Sequence, residues 1–202
     1  DLVNSLEGWS GYKSGGSSSD YQELAYIINT NKVEILSDPY TILNSYEYEF
    51  AYREPLVLEC IYNNNHLVII NVHYKCCDGS EARRLAASNL LYEYINTNLD
   101  NEKVIVLGDF NDLLNDGGIN VFEPFLDDDD YSFADYNIAT SSDQYWSFSS
   151  RPSHLDHILI TNELFNNVIS TSTIMIDYNL NVSYDTYISD HRPVGIKLLI
   201  NP

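Results

Sequence analysis

The chain has 202 residues, with 10 Lys and Arg against 30 Asp and Glu for a formal net charge of −20, and 44% of its residues are hydrophobic. That length and apolar content suffice for one packed domain over residues 1–202 and exclude global disorder. The acidity excludes a passive, high-affinity nucleic-acid binder, whose affinity needs clustered Lys and Arg, and no apolar run approaches the roughly 18 residues of a bilayer span, so the chain reads as soluble.

In chain order, residues 1–6 read as the tail of a helix and residues 11–19 (GYKSGGSSS) as a flexible loop or turn. Strands are expected around 23–29 and 32–36. The apolar runs 55–62 and 66–73 flank Asn63, Asn64 and Asn65, which predicts a hairpin. Ser80 is placed to cap a helix in which Ala87, Leu91, Tyr94 and Ile95 share one face. Residues 104–107 (VIVL) form a short, fully apolar run, as expected of a strand covered on both faces. Strands at 155–160, 168–176 and 194–200 complete the set, with no repeat and no interdomain linker. Cys60, Cys76 and Cys77 make neither a C-x-x-C pair nor an even disulfide set, and vicinal Cys76-Cys77 reads as a loop feature.

Chemistry-bearing residues gather where these strands meet loops. The strand 104–107 runs into Gly108-Asp109-Phe110-Asn111-Asp112, which puts Asp109 and Asn111 two residues apart at its C-terminal end. Asp156 opens the next apolar strand between His154 and His157, and Asp190-His191 opens the last. Any one such acid commonly caps a turn. Three in one chain, two with an adjoining His, point to shared chemistry. His66, His154 and His157 are assigned structural roles; His157 follows Asp156 directly and so faces the other side of its strand. The run Asp127 to Asp130 lacks the glycine and distal Glu of an EF-hand loop and reads as a solvated loop.

Gly108-Asp109-Phe110-Asn111, Leu155-Asp156-His157-Ile158-Leu159 and Ser189-Asp190-His191-Arg192-Pro193, with Tyr52-Arg53-Glu54-Pro55 and Asn71-Val72-His73 upstream, together resemble the endonuclease/exonuclease/phosphatase superfamily typified by deoxyribonuclease I. The resemblance implies an α/β fold, a four-layer α/β sandwich of two mixed β-sheets flanked by helices. It implies hydrolysis of a phosphodiester with a hard divalent cation, Mg²⁺, or Mn²⁺ or Ca²⁺ in its place, and a nucleic acid among the candidate partners. Asp109 would activate the attacking water and help hold metal, Asn111 orient the phosphoryl group, and Asp190 hold metal. His191 would donate to a phosphoryl oxygen with Asp156 fixing its tautomer, His73 would serve as general acid or base, and Arg53 would clamp phosphate.

Family members begin with a strand bearing an Asn and a strand ending in Gln-Glu, whose carboxylate is a principal metal ligand. On this pattern both would precede Asp1, so the chain reads as N-terminally truncated; Gln22-Glu23 mimics the second motif on the wrong strand. Low Lys with abundant acid, Asn and Tyr predicts a secreted or extracytoplasmic setting. Three functions fit: a nuclease-type phosphodiesterase, a phosphomonoesterase or phospholipid-cleaving enzyme of the same fold, and a non-catalytic binding domain. A nucleic-acid enzyme needs basic or aromatic groups beside the site and a lipid enzyme an exposed apolar loop; Tyr131 and Tyr145-Trp146 would serve either.

Overall fold

The protein is described by a computed structural model for residues 2–15, 23–77, 79–115, 117–180 and 182–202. A 3-10 turn, Val3–Ser5, leads into β1 (Trp9–Lys13), which pairs antiparallel with β2 (Ala25–Asn29). The expected N-terminal helix is therefore a single turn. Gly11 to Lys13, expected in a loop, are strand because Ala25 to Ile27 supply their ladder partners; residues 16–22, the end of that loop and Gln22 after it, lie outside the described residues. Next come β3 (Glu34–Ile35), β4 (Tyr40–Thr41), β5 (Leu56–Tyr62) and β6 (Asn65–His73). Asn63 and Asn64, with φ of 48° and 60°, turn the chain between β5 and β6 in the left-handed conformation that a two-residue hairpin turn needs.

Helix α1 (Glu81–Asn98) crosses over to β7 (Val104–Asp109), which lies parallel to β6. Ser80 does not cap α1 through its side chain; Glu81 instead accepts a hydrogen bond from the Gly79 N–H at 3.0 Å. The later elements are α2 (Glu123–Leu126), β8 (Tyr131–Phe133), α3 (Tyr136–Ala139), β9 (Asp156–Thr161), β10 (Val168–Thr173), α4 (Tyr184–Tyr187) and β11 (Val194–Leu198). Seven strands form one mixed sheet in the order β3-β5-β6-β7-β9-β8, with β4 also on β5.

Period-two alternation sends side chains to two cores. Val68, Ile70, Val72, Val104 and Val106 pack with Ala87, Leu91 and Ile95 of α1, while Leu58, Ile105, Ile158 and Ile160 pack against the layer made by β1-β2 and β10-β11. Val3 of the 3-10 turn closes on Gly11 from outside, where a Cβ would come within 2.6 Å of it. Helix, sheet, second β layer and outer turn give the expected α/β sandwich. Among the described residues no helix is long and apolar enough to cross a membrane.

A buried polar network ties the loops at one end of the sheet together. Asp135, fully buried, accepts hydrogen bonds from His154 Nε2 (2.9 Å), His157 Nδ1 (2.7 Å) and the Ile158 N–H (2.7 Å). His157 Nε2 donates to the Asp112 carbonyl (2.9 Å), so both of its nitrogens carry protons and the ring is an imidazolium. His154 Nδ1 accepts from the Ser147 N–H, which makes that ring the neutral Nε2–H tautomer. Burial opposes the His157 charge, but Asp135 outweighs it and raises the pKa; burial likewise opposes the Asp135 charge, but the His157 cation and the bonds from both imidazoles hold that carboxyl far below its usual range. With every imidazole nitrogen engaged, the trio has structural work and no free ligand atom on either ring. Arg84 of α1 completes the network: its Nε meets Asp112 at 2.8 Å and its Nη1 donates to the Lys75 and Cys77 carbonyls.

Removing one partner of a buried pair leaves an uncompensated charge, so Asp135→Asn is expected to lower the unfolding free energy by about 3–5 kcal/mol at pH 7 in urea titrations. A depressed carboxylate stabilises fully above its unfolded pKa near 3.9 and progressively less as pH falls below it, so wild-type stability is expected to decline below about pH 4. A loss under about 1 kcal/mol in the variant would mean that the network does not hold the loops.

Candidate active site

The register of the sheet assembles the site. His73 pairs with Asp109 across β6-β7 and Asp109 with Asp156 across β7-β9, so three sequence-predicted residues occupy one rung at the same edge. Gly108 makes that rung possible. Its φ is +140°, and a Cβ there would lie 2.0 Å from the Val72 carbonyl oxygen.

Beyond the rung the chain turns back on itself. Asn111 adopts φ +52°, its N–H donates to Asp109 Oδ1 (2.8 Å), and its Nδ2 donates to the Tyr74 carbonyl (3.1 Å). Arg53 Nη2 donates to the same carbonyl at 3.1 Å, delivered there by Ala51 and Tyr52, two consecutive residues with left-handed φ of 54° and 61°. His191 arrives from the loop before β11. Its Nδ1 lies 2.6 Å from Asp156 Oδ2 and its ring packs 4.9 Å from that of Phe148. Arg192, clamped on Asp177 and on the Gln144 and Trp146 carbonyls, holds that loop down.

Arg53, His73, Asp109, Asn111, Asp156, Asp190 and His191 all line one cleft of about 1040 Å³. Asp109, Asp156 and His191 converge closest, each offering a ligand atom within 4.8 Å of the others. Asp190, exposed on the rim, stands outside that trio. Glu23 also reaches the cleft, but its carboxylate pairs with Lys13 Nζ at 2.7 Å. Tyr131 is buried under α1, its hydroxyl donating to Asn96, and Trp146 donates to the Ile138 carbonyl; Phe148 fills the aromatic place on the cleft that these residues were expected to supply. Lys75, Arg83 and Arg151 also line the cleft without any motif marking them, since each is brought in by the tertiary path of its loop or helix.

The electrostatics divide the site. Burial and the repulsion of Asp156 push Asp109 up to about 6. Burial, helped by the Arg53 charge, lowers His73 to about 4, so its ring is neutral, with Nε2 3.3 Å from Asp109 Oδ2. For His191 burial opposes the charge, but Asp156, Asp109 and Asp190 outweigh it and raise the pKa. Two half-buried carboxylates that repel each other are a donor set for a hard divalent cation, which relieves the repulsion and takes oxygen ligands. Asp109 and Asp156 fit that requirement.

The model of the endonuclease/exonuclease/phosphatase family matches residues 19–191. The chain belongs to that family. Its members are hydrolytic phosphoesterases that depend on divalent metal. No curated protein matches this chain significantly in sequence. Solved structures share the family fold at low identity. A humanized D. rerio TDP2 has a TM-score of 0.75 at 13% identity, covering 98% of this chain and 79% of its own. The human Nocturnin catalytic domain with bound sulfate has a TM-score of 0.67 at 18% identity, covering 97% and 75%. The 3′ phosphatase NExo from Neisseria, bound to a product DNA hairpin, has a TM-score of 0.69 at 17% identity, covering 98% and 82%.

In this endonuclease/exonuclease/phosphatase chain, Gly108→Ala sets a Cβ against the Val72 backbone and must push β6 from β7. The variant is expected to lose roughly 3 kcal/mol or more of stability, read by urea unfolding, because both the backbone conformation and the overlap disfavour it. A variant as stable as wild type would show that the rung tolerates separation.

Proposed function

We propose that this chain is a divalent-metal-dependent phosphodiesterase of the nuclease type. The observation that carries the reading is the single rung His73-Asp109-Asp156 with His191 closing on Asp156. We assign the ion to Asp109 and Asp156, with Asp190 on the rim as a further oxygen donor. When bound, Mg²⁺, or Mn²⁺ or Ca²⁺ in its place, would neutralise charge on the phosphoryl oxygens.

The chain's own residues supply the rest. Asp109 accepts a proton from the attacking water as that oxygen bonds to phosphorus, and the bond from phosphorus to the leaving oxygen breaks; the alkoxide recovers a proton from solvent. Neutral His73, its Nε2 3.3 Å from Asp109 Oδ2, flanks the carboxylate that takes the proton. His191, protonated and oriented through Nδ1 by Asp156, offers Nε2–H to a phosphoryl oxygen whose charge grows in the transition state. Arg53 and Asn111, gathered on the Tyr74 carbonyl, present donors beside that oxygen.

A phospholipid-cleaving reading has one observation in its favour. Tyr187 and Ile188, 76% and 57% exposed, directly precede the loop that carries Ser189 to His191.

With Mg²⁺, turnover is expected on bis(p-nitrophenyl) phosphate and short single-stranded DNA above that on p-nitrophenyl phosphate or phosphatidylcholine vesicles, and is abolished by EDTA. Asp109→Asn and His191→Ala are each expected to cost at least about a hundredfold in kcat with the fold retained by circular dichroism. Near wild-type rates in either variant would overturn these assignments, and preference for the monoester or the vesicles would replace the phosphodiesterase reading.

A further inference from the structure

Charge is distributed unevenly for a chain of net charge −20. Four of its 10 basic residues, Arg53, Lys75, Arg83 and Arg151, line the one cleft that holds the Asp109-Asp156-His191 trio. Of the six elsewhere, three are spent on local ion pairs: Lys13 on Glu23, Arg84 on Asp112 and Arg192 on Asp177. Lys75, Arg83 and Arg151 make no salt bridge to any described residue; of the cleft carboxylates, Glu23 is paired, Asp109 and Asp156 face each other and the imidazoles, and Asp190 stands exposed on the rim.

Arg83 is the most telling. Its guanidinium carbon sits 4.0 Å over the Tyr48 ring, its Nε donates to the Tyr48 carbonyl, and its buried Nη2 has no hydrogen-bond partner among the described residues. Stacking and one backbone bond thus hold the group still while one donor is unused, and a buried donor without an acceptor is unfavourable until an anion arrives. Among the described residues the one hydrogen-bond partner of the half-buried Lys75 ammonium is the Cys76 sulfur at 3.7 Å, a weak acceptor. Arg53 stands near enough that, after burial and against the pull of Asp109, the Arg83 charge further depresses its guanidinium. Like charges gathered in a cleft are what a second anion would relieve. The cleft, at about 1040 Å³, slightly exceeds the roughly 300–1,000 Å³ of pockets that enclose whole small-molecule ligands, far more than one phosphate fills.

We propose that Lys75 and Arg83 form a second phosphate subsite beside Arg53, so that the preferred substrate carries a further phosphate group one linkage away from the one that reacts. The inference rests on the phosphoesterase reading of the adjoining trio and adds the charge that the substrate must bring. An internal phosphate of an oligonucleotide and the second phosphate of a nucleoside bisphosphate share this chemistry.

The test reads binding rather than turnover, so it is separate from the catalytic assignment. In the Asp109→Asn background with Mg²⁺, calorimetry compares thymidine 3′,5′-bisphosphate, thymidine 5′-monophosphate and the dinucleotide 5′-pTpT. The bisphosphate is expected to bind at least about tenfold more tightly than the monophosphate, the order of one added charge-assisted contact, and the advantage should shrink at high salt. A comparable advantage for 5′-pTpT identifies a strand as the source, and its absence a free nucleotide. Arg83→Gln and Lys75→Gln are each expected to remove most of the preference; Lys75 lies outside α1, so the second variant decides if the first fails to fold. Equal affinity for the bisphosphate and monophosphate, or a preference that survives in both variants, overturns the subsite. Loss of turnover in all diester assays with the binding preference intact would overturn the phosphodiesterase reading alone.

Discussion

One rung of hydrogen-bonded sheet brings the candidate site together. His73, Asp109 and Asp156 stand side by side because β6, β7 and β9 end their pairing at the same level. Their alignment follows from side chains buried in the two cores, away from the cleft. Val104 and Val106 face α1 while Ile105 faces the second β layer, and a slip of one residue would send each to the wrong core. Gly108 adds a steric lock, since only a residue without Cβ lets β6 come so close to β7 at the point where the acid must be presented.

The same pairing of imidazole and carboxylate appears twice in the structure with opposite outcomes. His157 and Asp135 meet at 2.7 Å with both side chains fully buried, and every imidazole nitrogen there is committed to a protein partner. His191 and Asp156 meet at 2.6 Å with side chains 23% and 21% exposed, and His191 keeps Nε2 for the cleft. Asp156 and His157 are neighbours in the chain, so strand alternation alone sends one to the cleft and the other to the network. The buried pair joins the loops after β7 and β8 to β9, and Arg84 extends the tie to α1 and to the loop that follows His73. Rigid support behind an open site is what positions weakly constrained loop residues such as Asn111.

Charge sets the terms on which a substrate enters. Most of the acidic surplus lies outside the cleft and repels phosphate at long range, screened within about 8 Å at physiological salt. Within the cleft the balance differs: four cations oppose four carboxylates, of which Glu23 is paired and Asp109 and Asp156 are suited to an ion.

The sequence by itself determined the parts whose causes are local. The hairpin followed from two apolar runs around an Asn turn, the face of α1 from its spacing, and β7 from an apolar run ending in Gly-Asp. Asp109, Asn111, Asp156, His191, His73 and Arg53 were legible as a set because the motifs stand in a recognisable order, and His154 and His157 were legible as structural. Expectations failed where long-range pairing overrode local chemistry. Gly11 to Lys13 carry loop residues yet form strand because β2 lies beside them, Ser80 has a capping side chain that its backbone geometry leaves unused, and Tyr131 looks like a surface aromatic but fills the core under α1. Only the tertiary structure decided that Asp135 anchors both buried imidazoles, that Asp190 stands outside the trio, and that Lys75, Arg83 and Arg151 meet in the cleft. Their sequence separations carry no period or spacing, because such contacts arise from how strands and loops cross in space.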